Sequence, residues 1–273
     1  MKIINLIEDT QGAPGLHAEH GLSFYVETGM HKILVDTGAS DRTWENAERL
    51  GIDLEQIDTV FLSHGHYDHA GGILSFAAVN SRAAIYVHSL AGQAYYNLKE
   101  DGRKFIGIKE AILQLPQCIR LGTGNYRLDE ELSIFSGVTG RRKWPESNLT
   151  LKRKDGDRFL QDTFGHEQYL VVRTEGKAVL LSGCAHNGIL NILDHYRALY
   201  GDMPDLVISG FHMMKKAAYE KAEITLIREI AEELGSMGIL FYTGHCTGLP
   251  AFEMMEEIMG ETLHYVHSGD RIV

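Results

Sequence analysis

The stretch that decides the fold is Phe61-Leu62-Ser63-His64-Gly65-His66-Tyr67-Asp68-His69-Ala70-Gly71-Gly72. It follows an apolar run that predicts a strand. Alternate residues of an extended segment point to the same side, so His64 and His66 can approach one metal ion together. Asp68 and His69 follow two and three positions after His66, where the glycine pair lets the chain turn into a helix. They can therefore face a second metal ion next to the first. Because zinc, manganese and iron accept imidazole and carboxylate ligands, the stretch predicts half of a two-ion site.

Length and composition are those of an ordinary globular protein. The 273 residues, 44% of them hydrophobic and 23% charged, suit one large α/β domain or two small ones. The formal net charge of −11 argues against broad binding of nucleic acid. A local basic cluster can still hold a small anionic molecule, so such substrates remain open.

Targeting signals and disulfide patterns are not evident. The N-terminal apolar run is too short for a signal peptide, because charged residues follow it early. No apolar run approaches the roughly 18 residues that span a bilayer. The cysteines are odd in number, widely spaced and lack a CxxC pair: Cys118, Cys184 and Cys246. We therefore expect a cytoplasmic protein without membrane association.

Two similar halves flank a less regular middle region. The first half predicts a hairpin over 22–36, a helix over 41–50, a strand over 59–62 and a helix over 72–79. The second half predicts a hairpin over 168–182, helices over 186–200, 220–234 and 250–259, and strands over 205–209, 239–242 and 263–266. Between them, residues 90–164 predict an insertion over the active site rather than a separate domain.

The insertion carries two features of its own. Residues 91–99 are compatible with a helix, whereas 119–121 and 132–135 predict short strands. Arg141, Arg142 and Lys143 form a basic loop. Arg141 and Arg142 are candidates for binding a substrate phosphate or carboxylate, and a solvated surface loop is the alternative.

Several predicted strands end in a small residue next to a ligand-type side chain. In α/β proteins functional groups gather at strand ends, so these endings indicate one shared site. His186 and His245 are the best candidates to complete it, while Asp36 or Cys184 would bridge the ions or orient a ligand. The residues concerned are Asp36, His64, His66, Cys184, His186, His212 and His245.

The chemistry of such a site is metal-based. Two ions roughly 3.5–4 Å apart polarise an ester, amide or phosphoryl oxygen and lower the pKa of a bridging water towards about 7. The sequence contains no Gly-x-Ser-x-Gly elbow, no Walker A loop and no strand-linked Gly-x-Gly-x-x-Gly. The metals would therefore have to activate the nucleophile.

These motifs resemble a known family. Residues 63–69 resemble the His-x-His-x-Asp-His signature of the metallo-β-lactamase superfamily. Val35-Asp36-Thr37-Gly38 is similar to its first motif and Thr243-Gly244-His245 to its last. The resemblance covers nearly the whole chain and implies one α/β domain over 1–273, a four-layer αββα sandwich of two mixed β-sheets with a dinuclear site at one edge. It implies these metal ligands: His64, His66, Asp68, His69 and His245.

Further motifs narrow the resemblance to stand-alone metal-dependent hydrolases related to 7,8-dihydropterin-6-methyl-4-(β-D-ribofuranosyl)aminobenzene 5′-phosphate synthase. They are residues 19–23, 182–186, 210–212 and 244–248. Most superfamily members place a histidine before one strand and an aspartate at its end, whereas this strand ends in Cys184 with His186 beyond it. We assign His186 as a ligand, with His166 as its rival, and leave Cys184 open as another. His20 and His212 would then face the substrate or transfer protons.

The leading prediction is a hydrolase in which a metal-bound hydroxide attacks an ester or phosphoester of a small anionic, in some cases phosphorylated, metabolite. Asp68 would orient the nucleophile or bind the second ion. The expected cofactors are two divalent transition-metal ions, zinc first, with manganese or iron as alternatives. The alternatives are a diphosphate-releasing condensation like that of the synthase, and a non-catalytic metal or ligand sensor.

Overall fold

The computed structural model describes residues 1–100 and 102–272, and strands make up most of its framework. In chain order these strands are β1 (Lys2–Ile7), β2 (Ser23–Glu27), β3 (Lys32–Val35), β4 (Thr59–Phe61), β5 (Ala84–His88), β6 (Tyr95–Lys99), β7 (Gly102–Phe105), β8 (Cys118–Leu121), β9 (Asn125–Arg127), β10 (Leu132–Ser136), β11 (Leu151–Asp155), β12 (Arg158–Gln161), β13 (Gln168–Thr174), β14 (Lys177–Leu181), β15 (Leu206–Ile208), β16 (Leu240–Thr243) and β17 (Leu263–Tyr265). The α-helices are α1 (Arg42–Arg49), α2 (Tyr67–Ala70), α3 (Ile73–Val79), α4 (Ile189–Tyr200), α5 (Lys221–Gly235) and α6 (Leu249–Met259).

Two mixed sheets form the centre of the molecule. The first has the order β1-β2-β3-β4-β5-β8, and the second has the order β17-β16-β15-β14-β13-β10-β9. The predicted hairpins are confirmed, because β2 pairs with β3 and β13 with β14, both antiparallel. Strands β3, β4 and β5 run parallel to one another, as do β14, β15, β16 and β17. Each sheet therefore has a row of carboxyl ends along one edge.

Side chains on opposite faces of each strand enter different cores. Along β13, Leu170 and Val172 pack between the two sheets, whereas Tyr169 and Val171 pack against the helices. Helices α4, α5 and α6 cover the outer face of the second sheet, and α1 and α3 cover that of the first. The order of layers is helix, sheet, sheet, helix, which confirms the predicted αββα sandwich.

The middle region, residues 90–164, is shared between the sandwich and a third sheet. Strands β8, β9 and β10 extend the two central sheets, while β12-β11-β6-β7 form a separate four-stranded sheet. This third sheet packs through a small aromatic and aliphatic cluster that includes Tyr95, Ile106, Leu151 and Phe164. The amide of Tyr67 donates to the carbonyl of Ile106 at 2.9 Å, so the region is joined to the histidine-rich stretch.

Two predictions about local structure are wrong. Residues 95–99 form strand β6 rather than a helix, because they pair with both β7 and β11 and place Tyr95 in a core and Tyr96 against Phe105. Helix α4 begins at Ile189 rather than at His186. Ala185 at φ 53° and Gly188 at φ 85° keep the intervening residues in a turn.

Among the described helices, none combines the length and the apolar character that crossing a membrane requires.

Candidate metal centre

The strand ends that carry ligand-type residues meet at one edge of the sandwich. His64 and His66 follow β4, His186 follows β14, and His245 follows β16. The imidazole rings of His64 and His186 lie 4.9 Å apart between centroids, and those of His69 and His245 lie 5.1 Å apart. The two halves of the chain therefore supply one cluster, as the pattern of strand ends predicts.

Three histidines form the first candidate subsite. A ligand nitrogen from each of His64, His66 and His186 lies within 4.8 Å of the others. Their Nε2 atoms are buried and have no hydrogen-bond partner among the described residues. Burial lowers the pKa of His66 to about 3 and lowers the pKa of His64 and His186 well below the ordinary value. Neutral imidazoles with free, converging nitrogens are what a metal ion requires, so this subsite fits one.

Hydrogen bonds hold two of these rings from behind. His64 Nδ1 lies 2.8 Å from Ser63 Oγ, which in turn donates to Asp36 Oδ2 at 2.7 Å. His186 Nδ1 lies 2.9 Å from Asn148 Oδ1. Each contact places the ring proton on Nδ1 and leaves the lone pair on Nε2, the atom that faces the cluster.

Asp68, His69 and His245 form the second candidate subsite. Asp68 Oδ2 lies 3.5 Å from His245 Nε2 and 3.9 Å from His69 Nε2. The other ring nitrogen of each histidine meets a carboxylate: His69 Nδ1 lies 2.6 Å from Asp36 Oδ2, and His245 Nδ1 lies 2.5 Å from Asp9 Oδ1. Carboxylate–histidine pairs of this kind are typical of metal-binding imidazoles.

The electrostatics of the second subsite favour positive charge. Burial opposes ionisation of Asp68, but contacts with His245 and His69 outweigh it and hold the pKa of Asp68 well below its usual range. Burial also opposes a charge on His69 and His245, yet Asp36 raises the pKa of His69, and Asp68 and Asp9 raise the pKa of His245. This subsite therefore suits a cation, and its carboxylate and imidazole donors suit a divalent transition metal.

Cys184 lies between the two subsites. Its Sγ atom is buried, lies 3.2 Å from His69 Nε2, and falls in one cluster with His64 and His69. The position agrees with either role left open for it, a ligand or a group that orients one. Asp36, by contrast, accepts hydrogen bonds from Ser63 and His69 and so orients the candidate ligands from the side away from the cluster.

Four turns at the site adopt a backbone conformation that is rare outside glycine. Asp36, Ala185, His212 and His245 have φ values of 60°, 53°, 51° and 49°. Such left-handed residues cost free energy and gather at functional sites, where surrounding contacts hold them. At His245 the amide donates to Glu8 Oε2 at 3.0 Å, which holds this turn in place.

The two residues predicted to face the substrate lie on different sides of the cluster. His212 follows β15, and its ring lies 4.1 Å from that of His186. His20 comes from the loop between β1 and β2, where its Nδ1 lies 2.8 Å from Asp9 Oδ2 and its Nε2 3.5 Å from Asp68 Oδ2. His212 therefore borders the first subsite and His20 the second.

Both ring nitrogens of His166, the alternative to His186 as a ligand, contact residues outside the cluster. Its Nδ1 accepts from the amide of Gly65 at 2.9 Å, and its Nε2 lies 3.1 Å from Asp162 Oδ2. The ring stands behind His64 and His66 and supports the turn between them. This geometry favours His186 as the third histidine of the first subsite.

The basic loop is largely engaged by other residues. Arg142 pairs with Asp194 and Glu233, so its charge is shared with two carboxylates on α4 and α5. Arg141 donates to Asn187 Oδ1 at 3.1 Å and to the carbonyl of Thr163 at 3.0 Å. Arg141 thus lies beside the His186 turn and is the better placed of the two.

The sequence gives no signal for several supporting residues, among them Asp9, Asn148 and Glu167. Glu167 is buried and accepts from the amides of His186 and Asn187 at 2.7 and 2.9 Å. Asp9 and Asn148 contact the imidazoles of the candidate ligands His245 and His186 through Nδ1. Each lies far in sequence from the histidine that it supports or in a short irregular segment, and no spacing or motif indicates the contact.

Comparison with known proteins identifies the family. The family model described as the metallo-β-lactamase superfamily matches residues 18–200. The chain belongs to this superfamily. Its members generally bind divalent metal ions, often zinc, which agrees with the donors found here.

The chain is similar over its full length to several known proteins. It is 29% identical to the 7,8-dihydropterin-6-methyl-4-(β-D-ribofuranosyl)-aminobenzene-5′-phosphate synthase of Methanocaldococcus jannaschii, over 98% of this chain and 95% of the synthase. An uncharacterized protein of the same organism is 26% identical, over 98% of both chains.

A solved structure shows the same fold throughout. The crystal structure of Tm1679, a metal-dependent hydrolase of the β-lactamase superfamily, matches with a TM-score of 0.83 and 27% identity, over 100% of this chain and 98% of that one. Zinc-bound PqqB of Methylobacterium extorquens matches with a TM-score of 0.57 and 13% identity over 100% of both chains, a likeness of fold alone.

Proposed function

We propose that this protein is a metal-dependent hydrolase that cleaves an ester or phosphoester of a small anionic metabolite. The observation that carries the proposal is the convergence of unpartnered buried nitrogens at the strand ends. His64, His66 and His186 would hold one ion, and Asp68, His69 and His245 the other, with Cys184 between them. Zinc is the expected metal, with manganese or iron as alternatives.

The metals would supply Lewis acidity and a nucleophile from water at neutral pH. The protein's own residues do the rest. Asp36, Ser63 and Asn148 contact the ligand rings through Nδ1 and so turn the Nε2 atoms towards the cluster. His212, whose ring contacts that of His186, would exchange a proton with a bound substrate, and Arg141, beside the His186 turn, would pair with its negative group.

A panel of ester, lactone, thioester, phosphomonoester and phosphodiester substrates tests the proposal. We expect turnover of at least one class by metal-loaded protein, loss of turnover after chelation, and recovery on adding metal back. His66→Ala should lose both metal and turnover while the far-ultraviolet circular dichroism stays unchanged, because the ligand lies beyond the end of β4. Metal-loaded, folded protein that turns over no member of the panel and binds a pterin or nucleotide would favour the sensor instead.

A second candidate function rests on the similarity to the synthase over almost the whole of both chains. In this reaction a pterin diphosphate would condense with a ribofuranosyl-aminobenzene phosphate and release diphosphate. Diphosphate release that needs both co-substrates would favour it, and release of product from a single substrate plus water would favour the hydrolase.

A further inference from the structure

His20 and His245 share one carboxylate. Asp9 Oδ1 lies 2.5 Å from His245 Nδ1, and Asp9 Oδ2 lies 2.8 Å from His20 Nδ1. The two rings lie side by side, with centroids 4.9 Å apart and planes inclined by 31°. Asp9 therefore turns both Nε2 atoms in the same direction, towards Asp68.

The two Nε2 atoms are equally far from the carboxylate of Asp68. Asp68 Oδ2 lies 3.5 Å from His20 Nε2 and 3.5 Å from His245 Nε2. This separation is long for a charge-assisted hydrogen bond, which is about 2.7–2.9 Å. It matches the spacing of donors around a common tetrahedral ion, because bonds of about 2.0–2.2 Å place neighbouring donors roughly 3.3–3.6 Å apart.

The position of His20 is set by the backbone beside it. The amide of Leu22 donates to the carbonyl of Asp68 at 3.2 Å. A Cβ atom at Gly21 would lie 2.8 Å from this same carbonyl and 2.7 Å from the amide nitrogen of Ala39, so a larger residue does not fit. The loop that carries His20 is thus packed directly onto the segment that carries Asp68.

We propose that His20 is a fourth protein ligand of the second metal ion, together with Asp68, His69 and His245. This assignment rests on the two-metal site of the proposed function, and it gives the two metal ions different roles. Four protein donors close the second subsite, whereas the three histidines of the first leave a position open for substrate or water. The reaction would then take place at the first subsite, while the second ion would mainly neutralise negative charge and keep the surrounding side chains in position.

Metal binding by His20→Ala tests this assignment without any substrate. The matched control is His17→Ala, three residues earlier, whose Nε2 also meets a carboxylate, Glu45, at 2.7 Å, but on helix α1. Cobalt(II) is the probe, followed by elemental analysis, competition with a chelator and visible absorption. Wild type and His17→Ala should bind two ions, while His20→Ala should keep the first and bind the second at least about tenfold more weakly, with a changed cobalt spectrum.

Because the His20 side chain is 49% exposed, its replacement should leave the fold intact, which circular dichroism checks. His20→Gln is a second variant of similar size and should show the same loss. Unchanged affinity and spectrum for the second ion in both variants would overturn the proposal, and a fall in turnover alone would assign His20 to the substrate. A wild type that binds a single cobalt ion at saturation would also overturn it, whereas failure of the hydrolase proposal appears separately, as two bound ions without turnover.

Discussion

Asn148 and His186 are joined by two hydrogen bonds that determine which nitrogen of the histidine is free. Asn148 Nδ2 donates to the carbonyl of His186 at 2.8 Å, and a carbonyl can only accept. The amide orientation is therefore settled, and Asn148 Oδ1 must accept from His186 Nδ1 at 2.9 Å. The lone pair of His186 is left on Nε2, which faces His64 and His66. A residue of the middle region thus sets the orientation of the candidate ligand that follows β14.

Asn148→Ala should weaken binding of the first ion by about 10–100-fold, because the His186 ring loses the contact that sets its tautomer and orientation. Chelator competition on metal-loaded protein measures the change. Asn125→Ala is the matched control, since Asn125 lies exposed on β9 and its side chain meets only Tyr200 among the described contacts. Equal metal affinity in the two variants would show that Asn148 does not position His186.

Replacing His186 and His166 separately distinguishes the two rivals for the first subsite. His186→Ala should lose one of the two ions, because its unpartnered Nε2 lies among the ligand nitrogens of His64 and His66. His166→Ala should keep both, because both of its ring nitrogens already have partners, the amide of Gly65 and the carboxylate of Asp162. Elemental analysis of the two purified variants gives the answer, and the reverse result would make His166 the ligand.

The sequence predicts those residues of the candidate site that directly follow a strand. His64, His66, His186 and His245 each follow an apolar strand, and parallel strands bring their carboxyl ends to one edge. The four layers follow from the two hairpin-and-helix halves. The strand ends and the order of layers can both be predicted because hairpins, strands and helices are defined by residues close together in sequence.

The supporting contacts depend on distant packing and have no local pattern. Asp9 reaches His245 across 236 positions of sequence, and Asn148 reaches His186 across 38. The left-handed turn at Ala185 cannot be predicted from the sequence either, because an alanine does not favour a φ of 53°. Residues 95–99 form strand β6 because they lie between the neighbouring β7 and the distant β11, and the pairing with β11 has no local pattern in the sequence.

Asp36→Asn should weaken binding of the second ion by about 10–100-fold. Asp36 accepts from the amide and hydroxyl of Ser63, both at 2.7 Å, and meets His69 Nδ1 at 2.6 Å. An amide has one accepting end, so the NH₂ group must face at least one of these donors. The buried mismatch should also lower the free energy of unfolding by roughly 1–3 kcal/mol.

Chelator competition and chemical denaturation measure the two effects of Asp36→Asn. Asp53→Asn is the matched control, because Asp53 is exposed and accepts from the amide of Glu55 in a surface turn away from the site. If Asp36→Asn bound both ions as tightly as this control, Asp36 would not orient His69.

His31 links the two sheets away from the metal centre and makes stability depend on pH. It follows the β2 strand in a hairpin turn, where its Nδ1 lies 2.9 Å from Asp58 Oδ1 and its Nε2 3.0 Å from Asp129 Oδ2, just before β10. Burial opposes the charged form, but Asp58 and Asp129 outweigh it and raise the pKa of His31 above its ordinary value. The folded state thus holds this proton more tightly than the unfolded state does. The stabilisation is full below about pH 6.5 and is lost as pH rises through the folded-state pKa.

His31→Gln should therefore lower the free energy of unfolding by about 0.2–1 kcal/mol near pH 6, the range expected for partly exposed ion pairs, and by much less near pH 9. Chemical denaturation of wild type and variant at both pH values, with metal in constant excess, measures the difference. The metal ligands are the same in both proteins, so their own pH dependence cancels in the comparison. A difference that stays constant between the two pH values would mean that His31 joins the sheets as a neutral hydrogen-bond donor rather than as a cation.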